Sequence, residues 1–353
     1  MKILFYINVL SNGGAERVMA NLANELSLEN DVVLVNSFRT NNEYELNSSI
    51  KHIYLDDNSY KGFFEKNFAR IKLLRKYLKK EKPDIAISFM AEPNFRLLLA
   101  KAFMGTKTII SIRNDPNKEY GNLLFKILAK SLFVTSNGIV FQTKEAKKWF
   151  PKMIQSRSRV IYNPVKQVFY DTKTNDNPEN IVAVGRLSKQ KNHKLLIEAF
   201  AEISDKITDN LFIYGAGELE FELKKLVEKL NLNNRVFLMG NVQNIENELS
   251  KYKMYIMTSD YEGMPNSLME AMALGVPCIS TDCPCGGPRE LMKKETLCRV
   301  NDKEMLKDLI LKYANDKQKL KELSLYNKNK SIKFKNDIIT KEWKNYIDQI
   351  MKN

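Results

Sequence analysis

Two hydrophobic rhythms alternate along this chain. Short apolar runs such as Ile3-Leu-Phe-Tyr-Ile7 give way to longer stretches in which apolar residues recur every three or four positions. A short bounded run is the pattern of a strand buried on both faces, and the longer period is that of an amphipathic helix. The runs predict strands over 2–9, 32–35, 50–55, 83–89, 108–111, 138–143 and 159–164 in the first half. In the second half they predict strands over 181–185, 211–214, 236–240, 254–258 and 276–280. Helical spacing is clearest over 61–82, where Phe64, Phe68, Ile71, Leu74 and Leu78 recur, and over 336–351, where Trp343, Tyr346, Ile347 and Ile350 share a stripe. Strand–helix alternation in both halves predicts an α/β protein with two doubly wound, Rossmann-like parallel sheets, and ligands at the C-terminal strand ends. The polar stretch 171–180 reads as a linker, giving domains of 1–170 and 171–335.

Composition narrows the class. At 353 residues and 44% hydrophobic, the chain has material for two cores. It has no uncharged apolar run long enough to span a bilayer, and its N-terminus lacks a small-residue cleavage site. The expectation is a cytoplasmic protein whose cysteines, Cys278, Cys283, Cys285 and Cys298, are reduced thiols. Cys283-Pro-Cys285 is too tight for the usual zinc pair, and both histidines, His52 and His193, are distant in sequence, so no metal site is expected.

Charge is distributed unevenly. Residues 1–170 hold 27 Lys+Arg against 15 Asp+Glu, and residues 171–353 hold 29 against 27. A basic half beside a neutral half suits a phosphate-bearing partner on one side: an anionic membrane, a lipid pyrophosphate or nucleic acid. The 61–82 segment concentrates this charge, with Lys66, Arg70, Lys76, Lys79 and Lys80 outside its apolar stripe. It reads as a surface helix whose stripe packs on the domain, with lysines free for solvent or for anionic headgroups.

The densest chemistry lies between Ser259 and Leu291. Glu262 sits on a loop before a short helix that Pro265 suits as a start and Gly275-Val-Pro277 ends, and Glu270 lies in or near the first turn. A helix N-terminus attracts anions through its free N–H groups. Ser267-Leu-Met-Glu270 also fits a capping box, in which Glu270 would be structural. Earlier, Gly185-Arg186 with Lys191 places two cations after a strand, suited to a diphosphate leaving group or to a plain polar loop. Gly13-Gly14 forms a strand-to-helix turn without the dinucleotide G-x-G-x-x-G spacing.

Glu262 and Glu270, with Gly263 and Pro265 between them and Gly275-Val-Pro277 behind, resemble the donor-sugar motif of retaining glycosyltransferases of the GT-B fold, family 4. The resemblance implies two Rossmann-like domains facing across a cleft, with the final helix, 336–353, crossing back to the first. It implies that Glu262 faces the donor hexose and Glu270 the ribose of a nucleoside diphosphate sugar, a UDP-sugar. Arg186 and Lys191 would clamp the diphosphate. Gly13, Gly14, Gly215, Gly217, Val242, Gly263, Met264, Pro265, Asn266 and Ser267 would line the donor. Where many relatives carry a histidine near the reacting sugar, this chain has Arg113-Asn114. Arg113 could put charge at the leaving phosphate or pair structurally with Asp115. The resemblance implies transfer of a hexose or N-acetylhexosamine, with retained configuration, to a glycan or lipid-linked acceptor in surface polysaccharide assembly. It implies no cofactor beyond the donor, no metal, and a peripheral position on the inner membrane face. No Asp-x-Asp metal pair occurs in the chain.

Two other classes share some of these features. A nucleic-acid-binding protein would explain the pI of about 9.3, but no recognition motif supports it. A sugar-nucleotide epimerase of similar fold would need no acceptor.

Overall fold

The computed structural model describes residues 1–11, 13–55 and 62–352. The chain divides into two compact units, Met1–Asn163 with Asp337–Asn353, and Pro164–Asn336. The polar stretch 171–180 lies inside the second unit, where β8 begins at Glu179.

The first unit is built on a seven-stranded parallel sheet. Its strands are β1 (Lys2–Ile7), β2 (Asp31–Asn36), β3 (Lys51–Tyr54), β4 (Ile85–Phe89), β5 (Lys107–Ile112), β6 (Gly138–Phe141) and β7 (Ser158–Val160), in the order β3-β2-β1-β4-β5-β6-β7. Successive side chains of β1 feed opposite faces, as the strand period requires. Ile3, Phe5 and Ile7 pack with Val18, Leu22, Trp343 and Ile347. Leu4 and Tyr6 pack with Val33, Leu74 and Leu78. The C-terminal helix Asn336–Lys352 buries the stripe read from sequence: Trp343 stacks on Phe89 at 5.7 Å, and the Tyr346 hydroxyl accepts from Ile139 N at 2.9 Å.

The helix Phe63–Glu81 keeps part of its expected stripe. Leu74 and Leu78 are fully buried, while Phe68 is 72% exposed. Phe68 lies about 120° round the helix from Leu74, at the edge of the buried arc. Residue 61 and the Phe64 side chain of that stripe lie outside the described residues.

The second unit has a six-stranded parallel sheet. Its strands are β8 (Glu179–Val184), β9 (Leu211–Tyr214), β10 (Val236–Gly240), β11 (Tyr252–Met257), β12 (Cys278–Thr281) and β13 (Leu297–Cys298), in the order β10-β9-β8-β11-β12-β13. Two-residue β13, absent from the sequence reading, is too short to show a period. In each sheet the order reverses beside its first strand, between β1 and β4 and between β8 and β11. Loops leaving neighbouring strands diverge there and open a crevice at the C-terminal strand ends.

Candidate active site

The β8 exit is built from close backbone packing. Gly215 has φ +138°, and a Cβ there would lie 2.0 Å from the Gly185 carbonyl oxygen. A Cβ on Gly217 would lie 2.4 Å from the Leu187 oxygen. Only glycine permits this approach, so these two glycines set the path of the Gly185–Leu187 loop. The chain then makes a 3₁₀ turn, Lys189–Lys191, and Asn192 (φ +47°) starts the helix His193–Ala201 by accepting from Leu195 N at 3.2 Å.

That turn is sewn to the β11 exit. Asp260 N donates to the Gln190 oxygen at 2.8 Å, and Gln190 Nε2 donates to the Tyr261 oxygen at 2.9 Å. Asn192 Nδ2 reaches Asp260 Oδ1 at 2.8 Å, and Thr258 Oγ1 donates to the Asn192 oxygen at 3.0 Å. The result sets Lys191 Nζ 2.6 Å from Glu262 Oε1, and Ser259 Oγ donates to the same oxygen at 2.8 Å. Glu262 and Glu270 are only 8% and 6% exposed.

His193 lies beneath this pair, its Nε2 3.3 Å from the Gly185 oxygen. Burial, with the nearby Lys191 charge, pulls its pKa down to about 4. An unfolded imidazole titrates near ~6.5, so between about 6.5 and about 4 the unfolded chain binds the proton more readily. Stability from this group is therefore present above the unfolded pKa and is lost as pH falls toward about 4, by on the order of 3 kcal/mol. Denaturant melts across that window should show the loss, and His193→Gln, which takes up no proton, should flatten it. An equally steep limb in the variant would rule His193 out as its source.

Pro265 is the N-cap of the helix Asn266–Leu274, with no side-chain capping bond. Ser267 therefore falls inside the first turn, and its hydroxyl lies 2.8 Å from the Tyr255 hydroxyl. A capping box needs the serine at an extended N-cap position, so that reading of Ser267 and Glu270 is not realised. The first-turn N–H groups of Asn266, Ser267 and Leu268 lie at the helix's positive end. Gly287 packs on this loop so closely that a Cβ would lie 2.0 Å from the Gly263 oxygen, and Met264 is buried. Gly275 (φ +82°) ends the helix. Arg186 is exposed on the β8 loop, and Val242 is partly exposed after β10.

In the first unit, Gly13 is the N-cap of the helix Gly14–Ser27, and its oxygen accepts from the Tyr44 hydroxyl at 3.2 Å. Arg113 lies buried just past the end of β5. Its Nη2 donates to Asn163 Oδ1 at 2.6 Å, and its guanidinium lies 4.4 Å from the Phe89 ring centre. Asp115 instead caps the short helix Pro116–Glu119, accepting from Asn117 N at 2.9 Å, and Asn114 Oδ1 accepts from Asp115 N at 2.9 Å. Burial lowers the Arg113 pKa to about 9, against the opposing charges of Glu16 and Glu119. Burial likewise raises the Glu119 carboxyl to about 7. Sequence reasoning did not single out Glu119, because Asn117-Lys-Glu119 reads as polar surface. It also passed over the Ser259 hydroxyl and His193 as neighbours of the Lys191–Glu262 pair, which no spacing in the chain signals.

Thus Lys191 and Glu262 meet directly, while Arg186, Gly215, Gly217, Gly263–Ser267 and Glu270 occupy the second unit's strand-exit loops and the helix after them. Gly13, Gly14, Arg113 and Asn114 lie at strand exits of the first unit. Among the described residues, no group of three His, Cys, Asp or Glu gathers to hold a metal ion, and the four cysteines are buried and not in disulfides.

Two parallel-sheet α/β units with this arrangement of strand-exit loops are of the GT-B class. Residues 12–167 match the family described as "Glycosyltransferase Family 4", and residues 166–330 match "Glycosyl transferases group 1". An uncharacterized glycosyltransferase of Methanocaldococcus jannaschii is 31% identical over 68% of this chain and 64% of its own length. An N-acetylgalactosamine-N,N'-diacetylbacillosaminyl-diphospho-undecaprenol 4-alpha-N-acetylgalactosaminyltransferase of Campylobacter jejuni is 30% identical over 82% of this chain and 83% of its own. A crystal structure of Anabaena Alr3699/HepE in complex with UDP superposes with TM-score 0.81 at 18% identity, covering 99% of this chain and 100% of that one. The chain belongs to glycosyltransferase family 4.

Proposed function

We propose that this protein is a retaining, metal-independent glycosyltransferase. It moves a hexose or N-acetylhexosamine from a UDP-sugar to a lipid-linked glycan during surface polysaccharide or glycan assembly. The observation that carries the reading is the Lys191–Glu262 pair, 2.6 Å apart, with Glu262 on the loop that leads into the helix Asn266–Leu274. The bond from the anomeric carbon to the β-phosphate oxygen breaks, a bond to the acceptor hydroxyl oxygen forms on the same face, and the hydroxyl proton passes to the departing diphosphate. The chemistry needs positive charge at the leaving group, which Arg186, Lys191 and the helix N–H groups offer without a metal. Glu262 meets the sugar as charge develops at the anomeric carbon, and Glu270 accepts hydrogen bonds from the ribose. The donor loops include Gly215, Gly217 and Val242. Gly13, Gly14, Arg113 and Asn114 serve the acceptor and diphosphate side.

The printed activity of the Campylobacter relative, transfer to a diphospho-undecaprenol-linked sugar, supports a lipid pyrophosphate acceptor here. The UDP in the Anabaena complex supports a uridine donor. A cytoplasmic protein peripheral to an anionic membrane fits both the basic first half and such an acceptor, and no nucleic acid is required. An assay with UDP-sugars and a diphospholipid-linked acceptor should give a lengthened glycan with the donor's anomeric configuration, in the presence of EDTA. Loss of activity on chelation, restored by magnesium or manganese, contradicts the fixed-cation reading. An epimerised donor formed without acceptor indicates the epimerase instead.

A further inference from the structure

The helix Leu123–Leu132 turns its apolar side outward. Leu123, Leu124, Ile127 and Leu128 are 70, 62, 54 and 43% exposed, while Ala129 is the buried residue of the helix. At about 100° per residue, those four side chains share one arc of about 140°, with Ala129 on the opposite side. A helix that merely covered a core would show the reverse pattern. Phe125, beyond the edge of that arc, is also 47% exposed, with its ring 6.4 Å from that of Phe95 on the neighbouring helix Ala91–Ala100. Next to it, Leu99 and Phe103 at the end of that helix are also exposed, and Lys101 Nζ ties this end to the Thr135 oxygen at 2.9 Å.

One flank of the arc is cationic. Lys126 and Lys130 lie over the Trp149 ring at 5.5 and 4.8 Å from its centre. Trp149 itself is only partly covered, and its Nε1 donates to Asn117 Oδ1 at 2.7 Å. Between Glu119 and Glu145 the chain carries no acidic residue. An outward apolar arc, flanking lysines and a partly exposed tryptophan are the parts of a helix that lies in a lipid interface.

We propose that the Leu123–Leu132 helix docks this protein onto an anionic membrane, inserting Leu123, Leu124, Ile127 and Leu128 among the acyl chains while Lys126 and Lys130 meet lipid phosphates. A second copy of the chain is the weaker occupant. The strip is about 15 Å long and one helix wide, about 10 Å. That is far less than the ~800 Å² per partner of a specific protein interface. The lysines also carry one sign of charge, which suits lipid headgroups and repels a copy of itself. This deepens the proposed lipid-linked acceptor reading and rests on it for its biological setting. It also moves the membrane contact from the basic Phe63–Glu81 helix, in which, among the described residues, Phe68 is the one strongly exposed apolar side chain.

The test uses the full chain with vesicles of phosphatidylcholine alone or mixed with phosphatidylglycerol. Wild type should co-float with the mixed vesicles. Trp149 should report insertion by a blue shift, since Trp343, the other tryptophan, is buried. The variant Leu124→Gln/Ile127→Gln/Leu128→Gln, checked for an unchanged melting temperature, should bind at least about 10-fold more weakly, given the transfer free energy of three aliphatic side chains. Charge reversal at Lys76, Lys79 and Lys80 should weaken binding less than the triple variant does. Undiminished binding by the triple variant, or a larger loss from the Lys76/79/80 reversal, overturns the proposal. So does concentration-dependent dimerisation that the triple variant abolishes in place of vesicle binding. Transfer to a detergent-dispersed acceptor separates the two readings. Transfer without vesicle binding removes the docking helix alone, and vesicle binding without transfer removes the acceptor reading alone.

Discussion

Arg186→Ala should lower turnover by ~10²-fold or more with a smaller fall in melting temperature than Lys191→Ala, which should lower both. The shared loss of rate follows from their proposed task. Each supplies fixed charge where the diphosphate becomes an anion, and removing one such group costs ~10²–10³ in rate. The difference in stability follows from their surroundings. Arg186 is exposed, so its truncation leaves no buried carboxylate uncovered and should cost less stability than truncation of Lys191. Lys191 is paired with a buried Glu262 at 2.6 Å. Truncating it leaves that carboxylate with the Ser259 hydroxyl but without its counter-charge, which is destabilising. Adding Glu262→Gln to Lys191→Ala should recover stability without recovering turnover. Steady-state rates and melting curves on the two single variants and the double variant check this. Near-native turnover in both single variants would sink the diphosphate assignment.

The second unit's strand-exit loops were legible because the residues that mark them are local in sequence. Glycines at 215 and 217, the cations at 186 and 191 and the 262–270 string each sit on a strand exit, and the strand runs that place them are short and apolar. What the sequence could not show is which of those groups touch. Lys191 and Glu262 lie far apart in the chain, and their pairing depends on the Gln190, Asn192 and Thr258 hydrogen bonds that sew two loops together. Competing local rules also misled. Ser267-x-x-Glu270 satisfies the capping-box spacing, yet Pro265 fixes the helix start and carries Ser267 past the capping position.

The first unit was less legible because burial there contradicts residue type. Arg113, read as a candidate for open charge or for a pair with Asp115, is enclosed by Asn163 and Phe89. Glu119 looks like surface in sequence, yet it is only partly exposed and its Oε2 is enclosed. The Leu123–Leu132 helix shows the converse. Its periodicity would suggest a core-facing stripe, and only the coordinates reveal that the stripe faces out. Periodicity says that an apolar face exists, and tertiary packing decides what it meets.

Glu270→Gln should separate donor binding from folding. The structure removes the capping role, since Pro265 is the N-cap and Ser267 bonds to Tyr255. Glu270 is the fifth residue of the helix, just past the first turn that the sequence reading placed it in or near, so losing its charge costs less than the ~0.3–1 kcal/mol typical of a first-turn carboxylate. Glutamine has nearly the same shape, so the packing around this 6% exposed side chain should persist. Stability is therefore expected to hold within about 1 kcal/mol. If Glu270 accepts both ribose hydroxyls, the amide loses charge assistance and keeps one acceptor oxygen in place of two. Hydrogen bonds to a charged group are worth ~1.5–3 kcal/mol, so donor affinity should fall by roughly 10- to 100-fold. Turnover at saturating donor should change far less, because a ribose contact is made equally in the ground and transition states. Calorimetric titration with UDP, alongside melting curves and kcat, resolves the three quantities. A destabilised variant that binds UDP as tightly as wild type would assign Glu270 to the fold and leave the ribose to another residue.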